Sequence, residues 1–252
     1  METAEYVRVL DHRGRALASA AEAAGPDAKV PTCPEWQVRD LVRHTGTVHR
    51  WATALVAEGH LSPPPAHDPP RDLDGDALVE WFRAGHRALV DTLTAAPADL
   101  ECWHFLPAPS PLAFWARRQA HETAVHAFDA ETALETPLEH STDPLAPAFA
   151  ADGVDELLRG FHARSRSRVR TTEPRVLRVR ATDGGAEAVW TVRLSAEPPV
   201  AVRDAAGEAD CEVSGPAARL YMALWNRTPF PEVDGDADLA RLWQETSAIT
   251  WN

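Results

Sequence analysis

The segment HETAVH, residues 121–126, puts two imidazoles and a carboxylate within two turns of a helix. In the zinc-protease pattern HExxH two histidines four residues apart reach one ion from one helical face. His121 and His126 are five apart, about 140° around a helix at roughly 100° per residue, and do not readily share an ion. Glu122 and His126 are four apart and do share a face. A carboxylate and an imidazole on one stripe supply two legs of a metal site. The third has to come from a facing helix. His44 stands in the stripe Leu41, His44, Val48, Trp51, Leu55. A polar group buried among apolar ones needs a partner or an ion, since leaving it bare costs on the order of a few kcal/mol. His49, five residues on, faces elsewhere. Plainer readings stand beside these. A lone His on an apolar face is commonly a hydrogen-bonded core residue, and Glu122 with His126 can be an exposed pair of small value. Asp129, one turn past His126, either orients a ligand ring from behind or is solvated.

The elements that must position these residues follow from apolar spacing and from breakers. Residues 3–24, rich in Ala, Leu, Val and Arg, are helix material that stops near Gly25 and Pro26. After turn signals at Pro31 and Pro34, Val38, Leu41, Val42, Val48, Trp51 and Leu55 recur at helical spacing. LSPPPAHDPPRDLDG is a loop, because clustered prolines cannot keep a helical ladder. Further helices fit 76–95, about 111–134 after the break LPAPSP, and 147–163. Four or more such helices with moderate loops make a bundle, and bundles place cofactor sites between facing helices. Trp36, Trp51, Trp81 and Trp115 fit its core, because aromatics at helical spacing usually mean packing. Beyond the run Arg164, Arg166, Arg168, Arg170, the stretches RVLRVRAT (175–182) and AVWTVRL (188–194) alternate as half-buried strands do. Short strands are expected in PVAVRD and DCEVSG, and a helix in PAARLYMALWNR with Leu220, Leu224 and Trp225 inward. The expected architecture is a helical bundle over 1–165 followed by an α+β unit over 170–252.

Composition narrows the function classes. Hydrophobic residues are 44 % and charged residues 25 % of 252, ordinary for a folded protein. A net charge of −13 argues against wrapping duplex DNA, which needs a surplus of Lys and Arg. The arginine run reads as a solvated linker and not as a nucleic-acid patch. No stretch reaches the roughly 18–20 apolar residues of a membrane span, and the N-terminus lacks the basic-then-apolar order of a secretory signal. A cytoplasmic location is the default expectation. Cys33, Cys102 and Cys211 are odd in number and far apart, which is no disulfide framework. Of the eleven histidines, His60, His67, His86, His104, His140 and His162 read as surface or structural residues.

TCPEWQVRDLVRHTGTVHRW (32–51) and AFWARRQAHETAVHAFDAE (113–131) resemble the two signature stretches of the mycothiol-dependent maleylpyruvate isomerase-like family, within the wider DinB-like metalloproteins. The resemblance implies a DinB-like four-helix bundle followed by a small α+β domain of sterol-carrier-like type. It also implies a metal, usually zinc, held by a His of the first stretch and a Glu-x-x-x-His of the second. Those positions match His44, Glu122 and His126. It further implies an active-site arginine from the C-terminal domain, for which Arg227 in LWNR is the choice, a salt-bridged or exposed Arg227 being the plainer reading. The thiol would be mycothiol.

Two histidines and a carboxylate leave a tetrahedral zinc an open position, though the same N/O set suits other first-row ions. The expected function is zinc-dependent activation of a small thiol for isomerisation or S-transfer on a small, anionic substrate, without nucleic acid or membrane as partner. A non-catalytic metal-containing module that binds a ligand or partner, and a metal-dependent hydrolase using Asp129 or His121 as base, are the alternatives. Oligomeric state is not legible.

Overall fold

Prolines, glycines and short polar caps set the ends of four long helices in the first part of the chain. α1, Thr3–Ala24, stops at Gly25, whose φ of 80° no other residue type adopts readily and whose N–H returns to the Ala21 carbonyl. α2, Val38–Glu58, begins where the Asp40 carboxylate accepts the Gln37 N–H at 3.0 Å, and ends at Gly59 in the left-handed region. α3, Gly75–Ala95, starts at Asp74, whose carboxylate accepts the Gly75 N–H. α4, Pro111–Thr132, starts after Ser110, whose hydroxyl accepts the Ala113 N–H at 3.1 Å. Pro111 suits the first turn because its missing N–H would have had no helical partner.

This computed structural model describes residues 1–65, 68–134, 145–183 and 188–249. The chain divides into two units, Met1–Thr142 and Asp143–Asn252. In the first, α1 packs on α3 and α4, and α2 packs on α3 and α4. Leu10, Leu17, Leu41, Leu55, Leu78, Phe82, Leu89 and Trp115 are fully enclosed. α4 is buried on nearly every side. Its small residues Ala116, Ala120, Ala124, Ala127 and Ala130 allow close approach, yet it also carries buried Arg118, Gln119, His121, Glu122, Thr123, His126 and Asp129. An interior helix with that many polar groups has to satisfy each of them from its neighbours, and this sets α4 apart from the other three.

In the second unit, α5, Pro147–Asp155, runs on as a π-helical turn over Glu156–Phe161. A five-stranded sheet follows in the order β3-β2-β1-β4-β5, built from β1 Arg175–Ala181, β2 Val189–Leu194, β3 Val200–Val202, β4 Cys211–Gly215 and β5 Glu232–Gly235. β1 pairs antiparallel with β2 and parallel with β4. Leu177 lies opposite Val192 and Cys211, and Val179 opposite Trp190 and Val213, so the alternate apolar residues share the buried face. α6, Ala217–Leu224, and α7, Ala237–Thr246, complete the unit, with Tyr221 and Trp243 enclosed.

Four N-terminal helices followed by a small mixed-sheet region with helices is the fold class expected from sequence. Two particulars differ. The helix expected at 147–163 packs on α6 in the second unit, Phe149 edge-on to Tyr221, so the units part at 142/143 and not near 165. β5 and α7 were not anticipated. β5 is exposed at all four residues and carries no apolar alternation to mark it. No helix among the described residues is long and apolar enough to cross a membrane.

Candidate metal centre

His44 from α2 and Glu122 and His126 from α4 converge, with one ligand atom of each lying within 4.8 Å of the others. His44 Nε2 is 3.4 Å and His126 Nε2 3.3 Å from the same carboxylate oxygen, Glu122 Oε1. Bonds of about 2.0–2.1 Å at tetrahedral angles put neighbouring ligand atoms roughly 3.4 Å apart. Both measured separations have that length, so the donor set fits a zinc-sized ion. The His44 and His126 rings meet edge to face, 5.0 Å between centroids. Glu122 and His126 are largely enclosed, whereas His44 keeps 29 % of its side chain exposed, so the group lies where the core meets solvent.

The surroundings divide the work of holding these three groups. Arg118, one turn before Glu122 and itself buried, donates to Glu122 Oε2 at 3.4 Å, leaving Oε1 to the histidines. Burial alone would raise the Glu122 carboxyl. Hydrogen bonds from His126 and His44, with the Arg118 charge close by, hold it well below the usual carboxylate range. Burial alone would likewise lower His126, but the Asp129 and Glu122 carboxylates raise it to about 9. Asp129 is fully buried, its Oδ2 2.9 Å from His126 Nδ1. Thr32 donates to Asp129 Oδ1 at 2.6 Å, and the Cys33 thiol lies 3.7 Å from Oδ2. Trp36, in the turn before α2, lies 5.0 Å from the His44 ring and 6.0 Å from the His126 ring.

The other histidines go elsewhere. His121 is buried edge-on to Tyr6. His49 is enclosed and shares a 2.8 Å hydrogen bond with the Thr123 hydroxyl. Burial pushes His49 well below its ordinary value and lowers His86, which is 5.5 Å away ring to ring. His86 and His162 are core residues, as a structural reading allows; His67 and His140 lie outside the described residues. Trp115 is enclosed as expected. Trp36 serves the site, where the sequence offered only packing. Arg227 belongs to the second unit, in the turn after α6, and donates to the Trp225 carbonyl at 2.8 Å. Thr32, Cys33 and Arg118 were missed as site residues. Arg118 had a usable signal, its spacing of four from Glu122, whereas a turn residue such as Thr32 has no periodicity to betray it.

Residues 7–131 match the Mycothiol maleylpyruvate isomerase N-terminal domain, and residues 148–242 the MDMPI C-terminal domain. The structure is similar to the crystal structure of a mutant of the mycothiol-dependent maleylpyruvate isomerase. The two share 12 % sequence identity over 90 % of each chain, with a TM-score of 0.58. At that identity the likeness speaks for the fold. No curated protein matches the sequence.

Proposed function

Since the chain belongs to the mycothiol-dependent maleylpyruvate isomerase family, we propose that it is a thiol-dependent enzyme whose divalent metal, zinc by family likeness, is held by His44, Glu122 and His126. The observation that carries this reading is the pair of separations, 3.4 and 3.3 Å, from two imidazole nitrogens to one carboxylate oxygen at a partly exposed position. A divalent ion there supplies a Lewis-acid position at which a small thiol loses its proton near neutral pH. Glu122 offsets part of the ion's charge, with Arg118 occupying its second oxygen. Trp36 walls the two imidazoles on one side.

By family likeness the thiol is mycothiol, and the reaction is isomerisation or S-transfer on a small anionic substrate. Arg227 is our choice for pairing with that substrate's carboxylate, which a planar guanidinium meets through two hydrogen bonds. Hydrolysis is the weaker reading. It needs a base beside a bound water, and the two named for that role are engaged elsewhere: His121 packs against Tyr6, and Asp129 holds His126 and Thr32.

Cobalt-substituted protein titrated with mycothiol tests the proposal. A charge-transfer band that saturates at one thiol per ion, together with thiol-dependent turnover of a cis-alkene diacid, is the expected result. A spectrum indifferent to thiol would contradict it.

A further inference from the structure

We propose that Asp129, clamped by Thr32 of the turn before α2, is a positioning residue that holds the His126 ring with Nε2 turned toward Glu122 and His44. The inference rests on the metal-site reading and adds to it the device that orients one ligand.

A neutral imidazole carries one N–H, and whichever nitrogen bears it cannot ligate. A carboxylate only accepts. Asp129 Oδ2 at 2.9 Å from Nδ1 therefore holds a proton on Nδ1, so that the nitrogen facing Glu122, Nε2, is the one that gives up its proton to an incoming ion. The carboxylate is in turn prevented from rotating. Its other oxygen takes the Thr32 hydroxyl at 2.6 Å, and the Cys33 thiol lies 3.7 Å from Oδ2. Asp129 is completely enclosed, and a buried carboxylate is costly unless such donors surround it.

The turn that supplies Thr32 is itself closed by hydrogen bonds. Val30 N–H donates to the Trp36 carbonyl, Cys33 N–H to that of Val30, and Trp36 N–H to that of Cys33, at 2.8–3.1 Å. Lys29 and Gln37 form a β-bridge at its base. One hydrogen-bonded turn thus reaches both histidines, His126 through Asp129 and His44 through the Trp36 ring.

A purely structural tie between turn and bundle would use the same bonds, so the test separates ion affinity from fold stability. Zinc dissociation constants of wild type, Asp129→Asn and Thr32→Val are measured by chelator competition, alongside the melting temperatures of the metal-free proteins. An asparagine can turn its amide N–H to Nδ1 and force the proton onto Nε2. Asp129→Asn should therefore bind zinc about 10- to 100-fold more weakly. Thr32→Val, which loses one hydrogen bond at constant shape, should bind about 3- to 10-fold more weakly. Wild-type affinity in both variants, with only the metal-free melting temperature lowered, would overturn the proposal. If Asp129→Asn fails to fold, Thr32→Val decides by the same criterion. A wild type that binds no zinc would instead overturn the metal-site reading beneath it.

Discussion

Glu122 shows how much of the site depends on compensated burial. Its carboxylate is ionised inside the protein because two imidazoles and a guanidinium surround it, and a carboxylate so stabilised is ready to meet a cation. His44, Glu122 and His126 were legible because helical spacing alone puts two of them on one stripe and the third in an otherwise apolar one. Thr32 and Trp36 were not, since a turn orients side chains through its own hydrogen bonds and leaves no repeat in the sequence. Asp129 was readable only as an alternative, because spacing cannot say whether a face is buried. A residue of the second unit carries the pH prediction. His162 is enclosed, shares a hydrogen bond with Ser167 through Nδ1, and has no partner for Nε2 among the described residues. Burial, with Arg170 nearby, pushes it down to about 4. A depressed basic group favours the folded state least where only the unfolded chain is protonated. Stability is therefore intact above pH ~6.5 and falls as pH drops toward ~4, by up to roughly 3 kcal/mol. Melting temperatures from pH 7 to 4.5 should fall less steeply in His162→Gln than in wild type; parallel curves would refute the assignment.

At the scale of the elements, close approach of helices is what lets the polar groups of α4 find partners. A second close approach, without α4, lies between α1 and α3. A Cβ on Gly14 would stand 2.2 Å from the His86 ring, which packs face to face with Phe82 and donates from Nε2 to the Asp11 carbonyl. Gly14→Ala must displace that ring or spread the helices, an overpacking that costs about 1–3 kcal/mol. Urea unfolding should register the loss as a lower midpoint, and an unchanged midpoint would show the contact to be soft. Helix limits were the best-marked feature in the sequence, because Pro, Gly and capping residues act locally: the expected 3–24 is α1, and 76–95 differs from α3 by one residue. β5 escaped notice because an exposed edge strand is defined by its pairing with β4, Glu212 to Asp234 and Val213 to Val233, and not by its own composition.

For the whole molecule, the division at 142/143 puts all three proposed ligands, the clamp and Trp36 in the first unit and Arg227 in the second. This division differs from the boundary near 165 expected in sequence because helix propensity says nothing about which neighbours a helix such as α5 will bury its face against. Two consequences follow. A fragment spanning 1–142 should bind one zinc with an affinity within about tenfold of the full chain, since bundle sites are built from facing helices alone; titration of the fragment checks this. Arg227→Ala in the full chain should lower thiol-dependent turnover by about 100-fold or more while zinc content stays at one, if its guanidinium pairs with substrate charge. The most direct test of the account is the zinc content of the purified full-length protein, wild type beside His44→Ala and Glu122→Ala, after reconstitution and removal of loosely held ion. One ion per chain in the wild type, lost in both variants, is the predicted result; a wild type without zinc, or variants that keep it, would contradict the metal centre on which the functional reading stands.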